Sequence, residues 1–171
     1  MNSIILRAAA PGGLPAFRQE LQAAFQKGYE DVYGPCDGLV LPDDDISGSL
    51  NEEGAEALEA VRSGERLGGA IVTFSADRRT GHLDFLYVKA GCQNHGTGQF
   101  IWSAIEARYP GVQIWETMTP YFDRRNIHFY VNRCGFRIVD FFNEHRPDPP
   151  VSGNFSMRDG MFRFEKRRDV P

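Results

Sequence analysis

One six-residue run restricts this chain more than any other. Gln93-Asn94-His95-Gly96-Thr97-Gly98 lies between the apolar run Leu83 to Val88 and the helical spacing of Phe100, Ile101, Ala104 and Ile105. The order reads strand, glycine turn, helix. Gly96 and Gly98 let the backbone approach a ligand closely, and the first N–H groups of the helix face outward at the positive end of its dipole. Such a turn suits a phosphorylated ligand.

The spelling of the turn narrows which one. From Gly91 the spacing G-x-x-x-x-G is present, but Thr97 stands where a nucleoside-triphosphate loop needs its lysine. A dinucleotide fingerprint needs a third glycine, which Gly96-Thr97-Gly98-Gln99-Phe100-Ile101 lacks. With a strand ahead of it, Gln-x-x-Gly-x-Gly resembles the acyl-coenzyme A pyrophosphate loop of the GNAT N-acetyltransferase superfamily. Downstream, Asn126-Ile127-His128-Phe129-Tyr130-Val131-Asn132-Arg133-Cys134-Gly135-Phe136 is similar to that family's second cofactor-side helix. The resemblance spans roughly residues 66 to 142. It implies an α/β (α+β) fold, with a mixed, mostly antiparallel sheet of about six to seven strands flanked by about four helices, in a single domain over residues 1–171.

The bulk properties set bounds around this reading. A chain of 171 residues is long enough to bury on the order of 70% of its unfolded surface without metal or disulfide support. The net charge is −4, and the one basic run is Lys166-Arg167-Arg168, so a nucleic-acid surface is not indicated. Cys36, Cys92 and Cys134 form no C-x-x-C pair, the N-terminal run is too short for a signal peptide, and no apolar run approaches a membrane span. These features point to a reduced, cytoplasmic protein with small-molecule chemistry.

Strands are expected at Ser3 to Ala8, Ala57 to Val61, Leu67 to Phe74, Leu83 to Val88, Val112 to Met118, Phe136 to Phe142 and Met161 to Lys166. The second to fourth form an antiparallel run, and the fifth is parallel to the fourth. Helices are expected at about 15–27, Thr97 to Tyr109 and about Arg124 to Arg133, with Gly135 as a left-handed C-terminal residue. Segments 28–51 and 143–160 read as irregular, the first with room for one short helix. In the family these segments line the acceptor site. Asp43-Asp44-Asp45 reads as a solvated loop whose field would attract a cationic acceptor.

The resemblance implies direct transfer of an acetyl group from acetyl-coenzyme A to an amine, on a small molecule or a peptide. It further implies that the backbone of Leu86, Tyr87 and Val88 pairs with the pantetheine amides, and that N–H groups from Gln93, Asn94, His95, Gly96, Thr97 and Gly98 hold the pyrophosphate. A lysine-like amine titrates near 10.4, so presenting it neutral at pH 7 costs about 4.6 kcal/mol. A base or a desolvating pocket must help. Asp84, inside Leu83-Asp84-Phe85-Leu86, is the first candidate base and Glu116 the second. Their alternative is a paired structural carboxylate.

Tyr130 stands at the family's position for the tyrosine that protonates the departing thiolate, and it could equally be core packing on the stripe of Ile127 and Val131. Seven residues before that tyrosine the family commonly carries a cofactor-contacting Asn. Here the place is Asp123, and Asn126 is the nearest amide, as a cofactor contact or a helix cap. His82, His95, His128 and His145 show no metal-ligand spacing, so no metal is expected. Cys92 beside the turn reads as a reactive or a packed thiol. A non-catalytic acyl-coenzyme A sensor on the same fold is the competing class. Pairing of Met161 to Lys166 and its neighbours with a second copy would make a homodimer.

Overall fold

The computed structural model describes residues 3–143, 145–146 and 160–168. Its strands are β1 (Ile5–Ala8), β2 (Glu56–Arg62), β3 (Glu65–Phe74), β4 (Thr80–Val88), β5 (Ile114–Pro120), β6 (Arg137–Phe142) and β7 (Met161–Arg167). The helices are α1 (Leu14–Tyr33), α2 (Asp43–Leu50), α3 (Thr97–Arg108) and α4 (Arg124–His128). The strands form one sheet in the order β1-β2-β3-β4-β5-β7-β6, antiparallel except for the β4–β5 pair. The mixed, mostly antiparallel sheet with its flanking helices is the architecture expected from the sequence.

Both faces of the sheet are covered at its centre, which explains the continuous apolar run Leu67 to Val72 in β3. On one face Phe17 and Leu21 of α1 and Ile46 of α2 pack against Ile71, Phe85 and Tyr87. On the other, Ile101, Trp102 and Ile105 of α3 pack against Leu58, Val72, Leu83 and Trp115. A Cβ at Gly81 would lie 2.5 Å from the Trp115 ring, so the absence of a side chain there admits the indole.

Two irregularities of β4 shape the rest. Ile71 pairs with Phe85 while Val72 pairs with Leu83, so Asp84 is an extra residue, a bulge with no partner across the ladder. In addition, β4 pairs with β5 only from Thr80–Ile114 to Leu83–Thr117. Beyond that register the two parallel strands part, and β4 runs on to Val88 alone on that side.

Several expectations are corrected. Helix α1 continues past residue 27 to Tyr33, through Gly28. Glycine costs about 1 kcal/mol in a helix interior, but contacts outside the sequence window offset it. Gln26 bonds to the Val40 N–H at 2.9 Å and the Gly38 carbonyl at 3.1 Å. Tyr29 and Tyr33 both meet the Phe122 ring. The acidic run is not a loop: Asp43, Asp44 and Asp45 are the first turn of α2, where negative charge complements the dipole, and Asp43 pairs with Arg18 at 3.1 Å.

The helix expected over 124–133 changes character midway. After α4 a π-helical turn spans Phe129–Arg133, in which Cys134 N–H donates to the Phe129 carbonyl five residues back. Four residues separate Tyr130 from Gly135. Strand β7 lies between β5 and β6, bonded to both, and its neighbour β6 is an edge strand. The sheet edges are β1 and β6. The irregular segment expected at 143–160 falls almost wholly outside the described residues.

Candidate functional site

A cleft of about 490 Å³ opens where β4 and β5 part. One wall is Leu86, Tyr87 and Val88 of β4, followed by Gln93, Asn94, Gly96, Thr97 and Gly98 of the glycine turn. The facing wall is Pro120, Phe122, Asp123, Asn126 and Phe129, and α1 closes one end with Phe25, Gly28 and Tyr29.

The β4 wall offers free backbone. Lys89 N–H donates to the Leu67 carbonyl on β3 at 2.8 Å. Strand alternation then turns the N–H and C=O of Leu86 and Val88 toward the gap, where β5 has withdrawn. Tyr87 turns its side chain the other way. It is buried edge-on against Phe17, and its hydroxyl donates to Glu20 Oε2 at 2.9 Å. Burial, then the Glu20 carboxylate, hold that phenol well above its ordinary pKa.

The two glycines of the turn serve different ends. Gly96 has φ of 77° and is the residue from which α3 starts, so it needs the left-handed region although its Cβ position is open. Gly98 has ordinary helical backbone, but a Cβ there would lie 3.3 Å from the Phe129 ring. Between them the N–H groups of Thr97, Gly98 and Gln99 have no intrahelical acceptors and stand at the cleft. Asn94 also takes a left-handed conformation, with φ of 66°. His95 is exposed and does not line the cleft.

Asp123 and Asn126 meet at the start of α4, where Asn126 N–H donates to Asp123 Oδ1 at 3.1 Å. Asp123 is therefore a helix cap and a cleft residue at once. Burial raises its pKa, against the Asn126 N–H and the Arg125 charge. Arg125 and Arg133 also border the cleft, and Arg125 reaches Asp31 of α1 at 3.9 Å. Sequence spacing did not flag these arginines or Phe129, because Phe129 and Arg133 come to the turn through contacts of the π-helical turn with Gly98 and Gln99.

The proton-handling candidates sit below the cleft, on opposite faces of the sheet. Tyr130 is 4% exposed and wedged among Phe129, Phe136 and Phe164 on the α3 face. Its hydroxyl partner is Thr117, whose own Oγ1 donates to the Leu83 carbonyl at 2.9 Å. This is the last register before the strands part. Burial pushes the Tyr130 phenol above its ordinary value. On the other face Asp84 accepts from Ser49 at 2.5 Å and Thr73 at 3.2 Å. Burial raises its pKa, and the two hydroxyls work the other way. Glu116 holds His82 at 3.0 Å and Arg163 at 3.3 Å. Asp84, Glu116 and Tyr130 thus surround the parting point without lining the open cleft.

Behind the site an ion-pair network fixes β4. Glu59 takes Arg7 at 2.9 Å and Arg66 at 2.8 Å, and Arg66 continues to Glu20 at 3.2 Å, the carboxylate that holds Tyr87.

Comparison with known proteins agrees with this geometry. The profile of the acetyltransferase (GNAT) family matches residues 14–136. YrkN of Bacillus subtilis (strain 168), an uncharacterized protein, is 40% identical over 95% of this chain and 92% of its own. Among solved structures, a Bacillus subtilis acetyltransferase in complex with CoA superposes with a TM-score of 0.66 at 20% identity, over 98% of this chain and 99% of that one. A GNAT family acetyltransferase from Elizabethkingia anophelis with acetyl-CoA bound gives 0.68 at 17% identity, over 96% and 98%. The matched region runs from α1 through the parted strands and the glycine turn to Phe136, and the chain belongs to the GNAT acetyltransferase family.

Proposed function

We propose that this protein transfers an acetyl group from acetyl-coenzyme A to an amine, as one N-acetyltransferase domain. The observation that carries the reading is the parted β4–β5 pair, whose free backbone edge leads into the N-terminus of α3. An extended amide-bearing arm fits such an edge, because Leu86 and Val88 supply donors and acceptors at strand spacing. A pyrophosphate fits the outward N–H groups from Gln93 to Gly98, with Arg125 and Arg133 adding positive charge. Asn126 extends the contact surface on the α4 side.

With the phosphates at the turn and the arm along β4, the thioester reaches the parting point. Tyr130 then stands on one sheet face as proton donor to the departing sulfur. Asp84 and Glu116 stand on the other as the negative charge that receives a cationic amine. The bulge at Asp84 sets its side chain on the same face as that of Phe85, against α2, and so places a carboxylate there.

The test is calorimetric titration with acetyl-coenzyme A, coenzyme A and ATP, followed by thiol release with a panel holding a diamine, an α-amino acid and a lysyl peptide. At one hundred times the dissociation constant, acetyl-coenzyme A should stabilise the fold by about 2.7 kcal/mol. Preference for ATP would overturn the reading. Tight acetyl-coenzyme A binding with no thiol release from any amine would point instead to a sensor.

A further inference from the structure

His82 of β4 stands opposite Glu116 of β5, one register before the last pair, Leu83 and Thr117. Its Nδ1 is 3.0 Å from Glu116 Oε2. An ionised carboxylate only accepts, so Nδ1 carries the hydrogen and the neutral ring keeps its lone pair on Nε2. The carboxylate is steadied in turn, because Arg163 of β7 takes Oε1 at 3.3 Å and also reaches Glu165 at 3.5 Å.

We infer that His82, oriented by Glu116, is the catalytic base that takes the acceptor amine's proton at Nε2. This rests on the transfer reading above. Asp84 has its two oxygens engaged by Ser49 and Thr73, and Glu116 has its two engaged by His82 and Arg163. Among the described residues Nε2 of His82 has no hydrogen-bond partner, and the side chain is 41% exposed. Asp84, two residues along the strand, couples to His82 through its charge and stabilises the imidazolium that forms. Glu116 is a positioning residue in this arrangement, as carboxylates are wherever they fix a histidine tautomer.

The protons balance as follows. The ammonium gives one proton to Nε2, and the imidazolium, half open to solvent, releases it to water. The neutral nitrogen then forms the C–N bond while the C–S bond breaks. The second proton lost from nitrogen matches the one the sulfur gains through Tyr130.

The experiment uses the full chain and the amine of the panel with the fastest thiol release. His82→Ala should lower kcat by about 10²-fold, the usual size of a base contribution. Acetyl-coenzyme A affinity by calorimetry should stay within twofold. Free imidazole should restore turnover to His82→Ala in a saturable manner, and a methylimidazole series should do so in order of basicity. Glu116→Gln should lower kcat with KM little changed and should not respond to imidazole. His82→Gln keeps a donor toward Glu116 and gives the same reading should the alanine variant melt early. Wild-type turnover in either His82 variant overturns the inference, as does a loss that no imidazole restores. If the wild-type protein releases no thiol with any amine, the transfer reading itself fails, and this inference with it.

Discussion

Thr117 and Leu83 are joined twice at the foot of the cleft. They form the last pair of the β4–β5 ladder, and Thr117 Oγ1 donates to the Leu83 carbonyl at 2.9 Å. The same hydroxyl is the partner of Tyr130. A single buried side chain therefore closes the ladder and fixes the phenol.

Thr117→Val keeps the shape but leaves the Leu83 carbonyl and the Tyr130 hydroxyl without their partner. The expected loss is about 1–3 kcal/mol of stability, the cost of stranding buried polar groups. Urea unfolding should show a lower midpoint at an unchanged slope.

Tyr130→Phe should lower turnover by about 10²-fold and leave acetyl-coenzyme A affinity unchanged. Burial raises the phenol's pKa, so its proton stays on throughout the neutral and mildly alkaline range. The wild-type kcat profile should accordingly show no loss from this residue between pH 7 and about pH 10. Wild-type turnover in the variant would remove Tyr130 from the mechanism.

Gly98→Val places a branched side chain against the Phe129 ring and into the cleft. Acetyl-coenzyme A affinity should fall at least tenfold by calorimetry, or about 1.4 kcal/mol. Gly12→Val is the control, since nothing lies within 4 Å of its Cβ position. It should bind as the wild-type protein does.

Asp84 and Glu59 should give opposite pH signatures. Asp84 has a raised folded pKa, so ionising it opposes folding, and stability falls as pH rises from the unfolded value of about 3.9 toward the folded one. Asp84→Asn should therefore raise Tm by a few degrees at pH 7, and the gain should vanish below about pH 4. For Glu59, burial pushes the pKa up, but hydrogen bonds from Arg66 and Arg7 outweigh it and leave the carboxyl below its usual range. Its contribution is present above the unfolded value of about 4.3 and is lost as pH falls through the folded one. Glu59→Ala should cost about 1–3 kcal/mol at pH 7, because Arg66 keeps Glu20 but loses its shorter charged partner at a buried site.

Much of this protein could be read locally. The glycine turn, the helix after it, the antiparallel run of β2 to β4 and the parallel β5 are written in spacing and in turn residues, which act within a few positions of themselves. The same is true of the backbone at Leu86, Val88 and Gly96, which the structure sets along the cleft. Helix α1 was read too short because its last turn is held by Phe122, Val40 and Gly38, residues that no local window contains.

What the sequence by itself determined was most of the set of elements, since these follow from local backbone preference. Only the tertiary structure decided where protons can go. The bulge that turns Asp84 toward α2, the register that sets His82 beside Glu116, and the burial of Tyr130 against Thr117 all arise from pairing between distant strands. A shift of one residue there would send Asp84, His82 and Thr117 to the other face, so the chemistry around them exists only once the sheet has closed.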